Sequence, residues 1–432
     1  SKKGTTHCMI DIKKQIKITI HRGANQIGGC ITEIATGNSK VIIDLGSKLP
    51  GSKEPEFTQQ DIERITVGAD AIFYTHFHGD HIGLCRYVPD GIEQYIGKGA
   101  KEVNICKYGV LANHDSKFQR DLYIAQSMNT YEAARRYDLG HKGEIYITPY
   151  FVDHSAFDSY MFLIEADGKR ILHTGDFRGH GYLSKGLEKV LGHIGNVDIL
   201  ISEGTMLSRL DEKVKHERWI QEEAFKLLSK KPRPHYYFAL CSSTDMDRLA
   251  SFHEACKKSG AKFVCDAYQK SILDIFTKYA APHSDFFNFD DDTTLVIGDN
   301  CNFGKDLRPN GFIMPVRAGS HLDFVKKMKY YFPDAELMYS MWKGYFEGTE
   351  AQKNKDVINF LNLFQGDFHY LHTSGHADVE TLEEICRLAH PSIGVIPIHK
   401  EKTTRYEQLP ISKTVKVITQ SMTIDGIKIT LQ

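Results

Sequence analysis

The sequence has few cysteines, no long apolar run and no excess of charge of either sign. Its nine cysteines among 432 residues form no C-x-x-C pair, which argues against a thiolate zinc ribbon and against a disulfide framework. The longest apolar runs, such as Val41-Ile42-Ile43, are strand-sized and far below the roughly 20 residues that a membrane helix needs. A reducing cytoplasm without membrane attachment is therefore the expected location.

The formal charges nearly cancel, because 54 Lys and Arg residues face 55 Asp and Glu residues. This balance excludes a globally basic nucleic-acid coat protein. A protein of this charge that acts on nucleic acid needs a local basic patch or a bound metal. Apolar residues make up 41% of the chain and charged residues 25%, which is typical of a globular protein rather than a disordered one.

The secondary-structure pattern changes twice along the chain. Short β-branched or aromatic runs predict mainly strands in the first 200 or so residues, at 16–20, 30–35, 40–45, 71–74, 144–148, 160–165 and 170–174. From about residue 197, strands alternate with predicted helices at 211–229 and 245–258, which is typical of a parallel sheet. The last part returns to short strands, at 414–419 and 427–431. We therefore expect an α/β protein in which residues 207–364 are inserted between 1–206 and 365–432.

The most informative string is Thr75-His76-Phe77-His78-Gly79-Asp80-His81, which reads H-x-H-x-D-H. Strand residues alternate faces, so His76 and His78 point the same way and both imidazoles can reach one ion. Asp80 and His81 follow where a helix would begin, and they add a carboxylate and an imidazole for a second ion. Surface histidines in a turn are the alternative explanation.

Two ions need more ligands than this string supplies. His154 and Asp176 each follow a predicted strand, and a carboxylate at a strand end can bridge two cations. Read alone, His154 is more typical of a buried hydrogen-bonded histidine, and Asp176 of a turn residue.

Together these residues resemble the ordered motifs of the metallo-β-lactamase fold: Asp44 after 41–43, the H-x-H-x-D-H string, His154, Asp176 and the late His399. Glu203 and His376, in Ile201-Ser202-Glu203-Gly204-Thr205 and His372-Thr373-Ser374-Gly375-His376-Ala377, resemble additional motifs of its β-CASP nucleic-acid-processing branch. Order and spacing are most similar to the ribonuclease J group. The resemblance implies an αββα sandwich with an inserted β-CASP cap domain.

The resemblance also implies a ligand set for two Zn²⁺ ions, with Mn²⁺ as a possible substitute. One ion would be held by His76, His78, His154 and Asp176, and the other by Asp80, His81, Asp176 and His399. Asp44 would order the metal-binding loop. Asp80, Glu203 and His376 would be catalytic, with Glu203 and His376 forming a coupled pair beside the scissile phosphate.

The expected function is a zinc-dependent ribonuclease acting on single-stranded RNA, as an endonuclease, a 5′-exonuclease or both. A metal-bridging hydroxide would attack phosphorus and leave 5′-phosphate and 3′-hydroxyl ends. His376 would protonate the departing 3′ oxygen while Glu203 orients it. In the branch that the chain resembles, a histidine at the position of His399 tends to mark members that act on RNA. A homo-oligomer is possible.

Four further residues are candidates for contact with substrate phosphates. Thr373, Ser374 and Gly375 offer hydroxyl and backbone N–H donors in a turn. Ser243 precedes a predicted helix, where an ordinary N-cap is the alternative.

Three other functions remain open at this level. One is a DNA nuclease of the same family, and another is a metal-dependent ester or thioester hydrolase. The third is a catalytically inactive RNA-binding subunit, which would be expected to lack ligand residues. The stretch from Phe312 to Ser320 also lacks the Gly-Ser-Gln-Gly-Glu string expected in the cap of the ribonuclease J group, which puts recognition of the RNA 5′ end in question.

Overall fold

The computed structural model describes residues 15–212 and 214–432. The strands in these residues are β1 Ile16–Arg22, β2 Ile31–Thr36, β3 Ser39–Ile43, β4 Ala71–Phe73, β5 Gln94–Gly97, β6 Asn129–Tyr131, β7 Tyr137–Leu139, β8 Ile145–Val152, β9 Ser159–Ala166, β10 Lys169–His173, β11 Ile199–Glu203, β12 Tyr236–Leu240, β13 Lys262–Cys265, β14 Thr294–Val296, β15 Phe312–Val316, β16 Glu336–Tyr339, β17 His369–Tyr370, β18 Gly394–Ile398, β19 Met422–Ile424 and β20 Ile427–Leu431. The helices are α1 Gln59–Thr66, α2 Gly79–Ile82, α3 Lys98–His114, α4 Gln119–Ser127, α5 Leu187–Ile194, α6 Glu217–Ser229, α7 Met246–Ser259, α8 Ala267–Ala280, α9 Leu322–Tyr331, α10 Gly344–Glu347, α11 Lys355–Leu363 and α12 Val379–Ala389. None of these helices is long and apolar enough to cross a lipid bilayer.

Two sheets pack face to face. The first has the strand order β19-β20-β1-β2-β3-β4-β5-β6, and the second has the order β18-β11-β10-β9-β8-β7. The inward side chains of both sheets alternate with outward ones and form one apolar layer, in which Ile18 and Ile34 of the first sheet join Phe162 and Ile164 of the second. Burial of this layer is the main term that holds the sheets together.

Helices cover both outer faces. Ile62 of α1 and Val103 of α3 pack on the first sheet, whereas Leu191 of α5 and Leu382 of α12 pack on the second. The predicted αββα order of layers is therefore confirmed.

A third sheet is formed by β14-β13-β15-β12-β16-β17. Every pairing in it is parallel, as the alternation of strands and helices predicted. Leu249 of α7 and Ile272 of α8 join the apolar cluster on one face, and Val325 of α9 and Phe360 of α11 join that on the other.

The structure differs from the predicted secondary structure in three places. The first 200 residues contain five helices as well as strands, and α3 was missed because its 17 residues show no single apolar stripe. Helix α6 begins at Glu217, six residues later than predicted, where His216 caps it by accepting from the Arg218 N–H. Residues 414–419 form no strand, because only Val417 bridges to Val395 of β18.

Two buried arginines connect the sandwich to the third sheet. Arg178, which follows β10, donates to Glu217 at the start of α6 (2.9 Å) and to Asp247 of α7 (2.8 Å). Arg248 of α7 donates to the same Glu217 carboxylate at 2.9 and 3.2 Å. Arg178 and Glu217 are 0% exposed, and Arg248 is 1% exposed. Because Glu217 is shared by both guanidinium groups away from water, loss of its charge leaves Arg248 without its nearest carboxylate, while Arg178 keeps Asp247.

We predict that Glu217→Gln lowers the free energy of unfolding by about 3–5 kcal/mol, the usual cost of removing one member of a buried ion pair. Urea unfolding followed by circular dichroism measures this loss. The matched control is Glu384→Gln, which breaks the exposed pair with Arg387 at 2.6 Å and should change stability by less than about 1 kcal/mol. Equal losses in both variants would contradict the structural role given to Glu217.

Candidate metal centre

The predicted ligands gather at one edge of the sandwich because each follows the carboxyl end of a strand. Asp44 follows β3 and His76 follows β4. His154 follows β8, Asp176 follows β10 and His399 follows β18. In each sheet these strands run in one direction, so their ends meet at the same edge. Asp44 and His399 have positive φ angles of 65° and 51°, a strained backbone that the surrounding contacts must hold in place.

Asp44 organises the loop that carries the H-x-H-x-D-H string. Its carboxylate accepts from the Thr75 N–H (2.8 Å) and the Thr75 hydroxyl (2.9 Å). The same carboxylate accepts from His81 Nδ1 at 2.8 Å. Asp44 is fully buried, so its two oxygens fix both ends of the string.

His76, His78 and His154 form the first donor cluster, with one ring nitrogen of each within 4.8 Å of the others. The Thr75 hydroxyl gives its proton to Asp44, so at 2.9 Å it accepts from His76 Nδ1–H. His154 Nδ1 donates to the Gly375 carbonyl. Each of these two rings therefore turns an unprotonated Nε2 toward the centre. Both Nε2 atoms are buried without a hydrogen-bond partner.

Asp80, His81, Asp176 and His399 form the second cluster, again with ligand atoms within 4.8 Å of one another. Thr205 donates its hydroxyl proton to the His399 carbonyl at 3.1 Å and accepts from His399 Nδ1–H. His399 Nε2 then faces Asp80 Oδ2 at 3.0 Å. His81 Nε2 lies 2.9 Å from Asp176 Oδ2.

Asp176 lies between the two clusters. Its Oδ2 atom is 3.7 Å from the Nε2 atoms of both His76 and His154, and it is 3.4 Å from His399 Nε2. One carboxylate thus faces the donors of both groups, the arrangement expected of a residue that bridges two cations.

The charge state of the free centre reflects this crowding. Burial lowers the pKa of His78 to about 4, so this ring is neutral near pH 7 and its lone pair is available. Burial also lowers the pKa of His81, but the Asp176, Asp80 and Asp44 carboxylates outweigh it and hold that pKa well above its usual value. A cation that binds here must displace that proton.

These observations meet the requirements of a metal site. Histidine and carboxylate are the common ligands of Zn²⁺, and four imidazoles present Nε2 while their Nδ1 atoms are held by Thr75, Asp44, Gly375 and Thr205. Such outer hydrogen bonds fix ring orientation in metal centres. The roles of Thr75 and Thr205 were not predicted from the sequence, although both residues lie inside the motifs.

Glu203 and His376 form a pair beside the second cluster. His376 Nδ1 donates to the Glu203 carboxylate at 3.0 and 3.1 Å, and Glu203 also accepts from the Phe177 N–H at 2.8 Å. Burial lowers the pKa of His376, but Glu203 and Asp176 together raise it above its usual value, against the opposing charge of Arg209. His376 Nδ1 is 4.0 Å from Asp176 Oδ2, so the pair borders the donor clusters.

The turn before His376 is held from within. The Thr373 hydroxyl donates to the Lys215 carbonyl at 2.7 Å and accepts from the Lys215 N–H at 3.1 Å. Ser374 accepts from the His376 N–H at 3.0 Å. The Thr373 and Ser374 carbonyls accept from Arg248 and Arg178 respectively. The two buried arginines therefore position the loop that carries His376, a role with no signal in the sequence.

The fourth proposed substrate contact, Ser243, lies in the loop between β12 and α7. The Ser243 carbonyl accepts from Gln269 of α8 at 2.9 Å, and Asp245, not Ser243, caps α7 by accepting from the Arg248 N–H. Contact of Ser243 with a substrate phosphate stays a prediction.

Comparison with known proteins agrees with this fold. Residues 41–237 match the model of the beta-lactamase superfamily domain. Ribonuclease J of Helicobacter pylori is 25% identical over 93% of this chain and 59% of its own length. An RNase J-like protein of Methanocaldococcus jannaschii is 23% identical over 46% of this chain and 44% of its own length.

A solved structure shares the fold. A protein of unknown function from Enterococcus faecalis V583 superposes with a TM-score of 0.67 and 18% identity, covering 90% of this chain and 95% of the other.

Residues 41–237 thus match a beta-lactamase superfamily domain, and the edge of the sandwich carries the donor set of a metal-dependent hydrolase. Over most of its length the chain is weakly similar to ribonuclease J of Helicobacter pylori. It spans 59% of the length of the Helicobacter pylori ribonuclease J that it matches.

We predict that Thr205→Val weakens binding of a metal ion at the second cluster by about 10–100-fold, the usual effect of removing a hydrogen bond behind a histidine ligand. Competition with a zinc-chelating dye measures the affinity. Ser208→Ala is the matched control, because the Ser208 hydroxyl donates to the Thr205 carbonyl in the same turn at 3.1 Å but reaches no ligand. A similar loss in the control, or none in Thr205→Val, would show that Thr205 does not support His399.

Proposed function

We propose that this protein is a zinc-dependent ribonuclease that hydrolyses phosphodiester bonds of single-stranded RNA to 5′-phosphate and 3′-hydroxyl ends, in the cytoplasm. The observation that carries the proposal is the pair of donor clusters on either side of Asp176 with the Glu203–His376 pair at their border. Hydrolysis of a phosphodiester needs a nucleophile, charge compensation and a proton donor. The donor clusters would hold the metal ions that provide the first two, and His376 would provide the third.

One zinc ion would be held by His76, His78, His154 and Asp176, and a second by Asp80, His81, Asp176 and His399. When bound, the two ions supply a hydroxide nucleophile near neutral pH and offset the negative charge of the phosphate. Mn²⁺ is the expected substitute. Bound ions also answer the charge problem of the sequence, since the positive charge at the reaction centre is not part of the Lys and Arg total.

His376 is the proposed general acid. Its Nδ1 is held by Glu203, which leaves Nε2 to donate a proton to the departing 3′ oxygen. Glu203 keeps the ring oriented and favours its protonated form, which is the form that a general acid needs. Asp80 takes part through His399 and the second cluster rather than as a proton donor, because its pKa is held low by His81 and His399 despite its burial.

We further propose that residues 207–364 are a β-CASP cap inserted into a catalytic domain of residues 1–206 and 365–432. Support comes from the chain path: β11 pairs in parallel with β18, and all six strands of the third sheet lie between them in sequence, with β17 alone beyond residue 364. Arg248 of the inserted residues donates to the Thr373 carbonyl in the loop before His376, and a cap in contact with that loop would suit a polymer better than a small ester.

RNA is the proposed substrate rather than DNA. Two observations support the choice: the names of the relatives of this chain, which are ribonucleases J of Helicobacter pylori, and the histidine at position 399. Opening of a circular RNA would establish endonuclease cutting, whereas release of nucleotides from a linear RNA with a 5′-monophosphate would establish 5′-exonuclease cutting.

We predict that His76→Ala abolishes RNA cleavage and lowers zinc content, because it removes a ligand of the first cluster. His376→Ala should instead slow cleavage by about 10²–10⁴-fold, the usual contribution of a general acid, with zinc content retained. Cleavage of a labelled oligoribonucleotide and elemental analysis of the same preparations measure both effects. Equal zinc loss in the two variants would contradict the separate roles of these histidines.

A further inference from the structure

Among the residues that the structure describes, Arg209 is a cation without a carboxylate partner close to the residue that holds His399. It directly follows the turn Thr205–Ser208, whose first residue holds His399. In the described part of the chain its guanidinium forms no ion pair and donates no hydrogen bond. The guanidinium instead lies over the Trp342 ring, with its carbon 4.4 Å from the ring centroid. A half-buried arginine left with free N–H donors is prepared for an external anion.

The structure holds the indole beneath this guanidinium in place. A Cβ atom at Gly344 would lie 2.2 Å from the Trp342 ring, so only glycine lets the indole rest on the backbone there. The Tyr339 hydroxyl donates to the Trp342 carbonyl at 2.7 Å, and the Tyr345 ring meets the indole at 81° with centroids 5.5 Å apart. A fixed aromatic surface orients the guanidinium plane above it.

This arrangement lies at the side of the centre formed by Asp80 and His399. The Arg209 N–H donates to the Met206 carbonyl at 3.1 Å, and the Met206 sulfur lies 3.2 Å from the Ser374 hydroxyl in the loop that carries His376. The loop between β3 and α1 packs against the residues that follow α10, because a Cβ at Gly51 would lie 2.3 Å from the Ala351 carbonyl oxygen. Burial lowers the pKa of Arg209, against the opposing charges of Glu212 and Glu401. Neither carboxylate forms an ion pair with it in the residues that the structure describes.

We infer that Arg209, supported by Trp342, binds a backbone phosphate of the substrate strand next to the scissile one. The inference rests on the proposed ribonuclease function, which supplies a polyanion at the neighbouring metal centre. Arginine donates two parallel hydrogen bonds to a phosphate, and contacts of this kind fix the position of a strand without reading its bases. Arg209 thus sets the register of the strand over the metal edge.

The test replaces one phosphate at a time by a neutral methylphosphonate in a fluorescein-labelled RNA octamer. Binding is measured by fluorescence anisotropy in the zinc-loaded His376→Ala protein, where cleavage is slow. Adding Arg209→Ala should weaken binding of the unmodified octamer about tenfold and reduce the salt slope by about one. At one position close to the cleaved bond, the methylphosphonate should weaken binding to the parent protein about tenfold and to the Arg209→Ala protein not at all.

Two further variants sharpen the result. Trp342→Ala should reproduce part of the loss at the same phosphate position, and Arg209→Lys should restore part of the affinity as a point charge. The matched control is Arg136→Ala, since Arg136 lies 3.6 Å above the Tyr146 ring near edge strand β7; it should bind every octamer like the parent protein.

The outcomes separate the two proposals. If each methylphosphonate weakens binding to the Arg209→Ala protein as much as to its parent, the phosphate contact is refuted. If the wild-type protein with zinc cleaves no RNA but the position-specific effect at Arg209 is present, the ribonuclease proposal fails and the phosphate site is supported.

Discussion

Negative charge concentrated at one edge of the sandwich is the constraint on which the rest of the structure depends. Asp44 and Asp176 are buried, and the side chain of Asp80 is only 12% exposed. Carboxylates removed from water are costly unless cations or hydrogen-bond donors compensate them. Here the compensation comes from Thr75, from the histidines and, in the proposed holoprotein, from bound zinc. The positive φ angles at Asp44 and His399 are stabilised by the hydrogen bonds that these residues form with Thr75, His81 and Thr205.

The third sheet takes part in the centre through the loop before α12. Arg178 and Arg248 hold the Thr373 and Ser374 carbonyls, and Glu217 compensates both guanidinium groups. Any shift of α6 or α7 relative to the sandwich therefore acts on the loop that carries His376. Trp342 of the inserted residues also contacts Arg209, which follows the turn that holds His399. Cap position and catalytic geometry are thus mechanically linked.

Much of this arrangement follows from local sequence pattern. Extended-chain alternation predicted that His76 and His78 would reach one ion, and they share a cluster although both lie in the loop after β4. His154 and Asp176 were candidates at strand ends, and the family resemblance implied that they would join them. The αββα order and the parallel third sheet were also predictable. Helix α3 was not, because it is buried on several sides and lacks a clear apolar stripe.

The remaining features depend on contacts between distant parts of the chain. Thr75 and Thr205 act through hydrogen bonds whose direction only the folded structure defines. Arg178, Glu217 and Arg248 meet across 39 and 31 residues of sequence, so no motif marks them. Distant contacts also bear on Thr373, which the sequence suggested as a phosphate contact. Its hydroxyl accepts from the Lys215 N–H and donates to the Lys215 carbonyl.

The central claim is that two bound metal ions make this centre a ribonuclease. The most direct measurement is a zinc titration of metal-stripped protein, with cleavage of matched single-stranded RNA and DNA followed at each step. The account predicts no cleavage without metal, RNA cleavage that rises until two zinc ions are bound per chain, and much slower cleavage of DNA. Efficient cleavage of DNA alone, or absence of RNA cleavage at any zinc or manganese concentration, would contradict it.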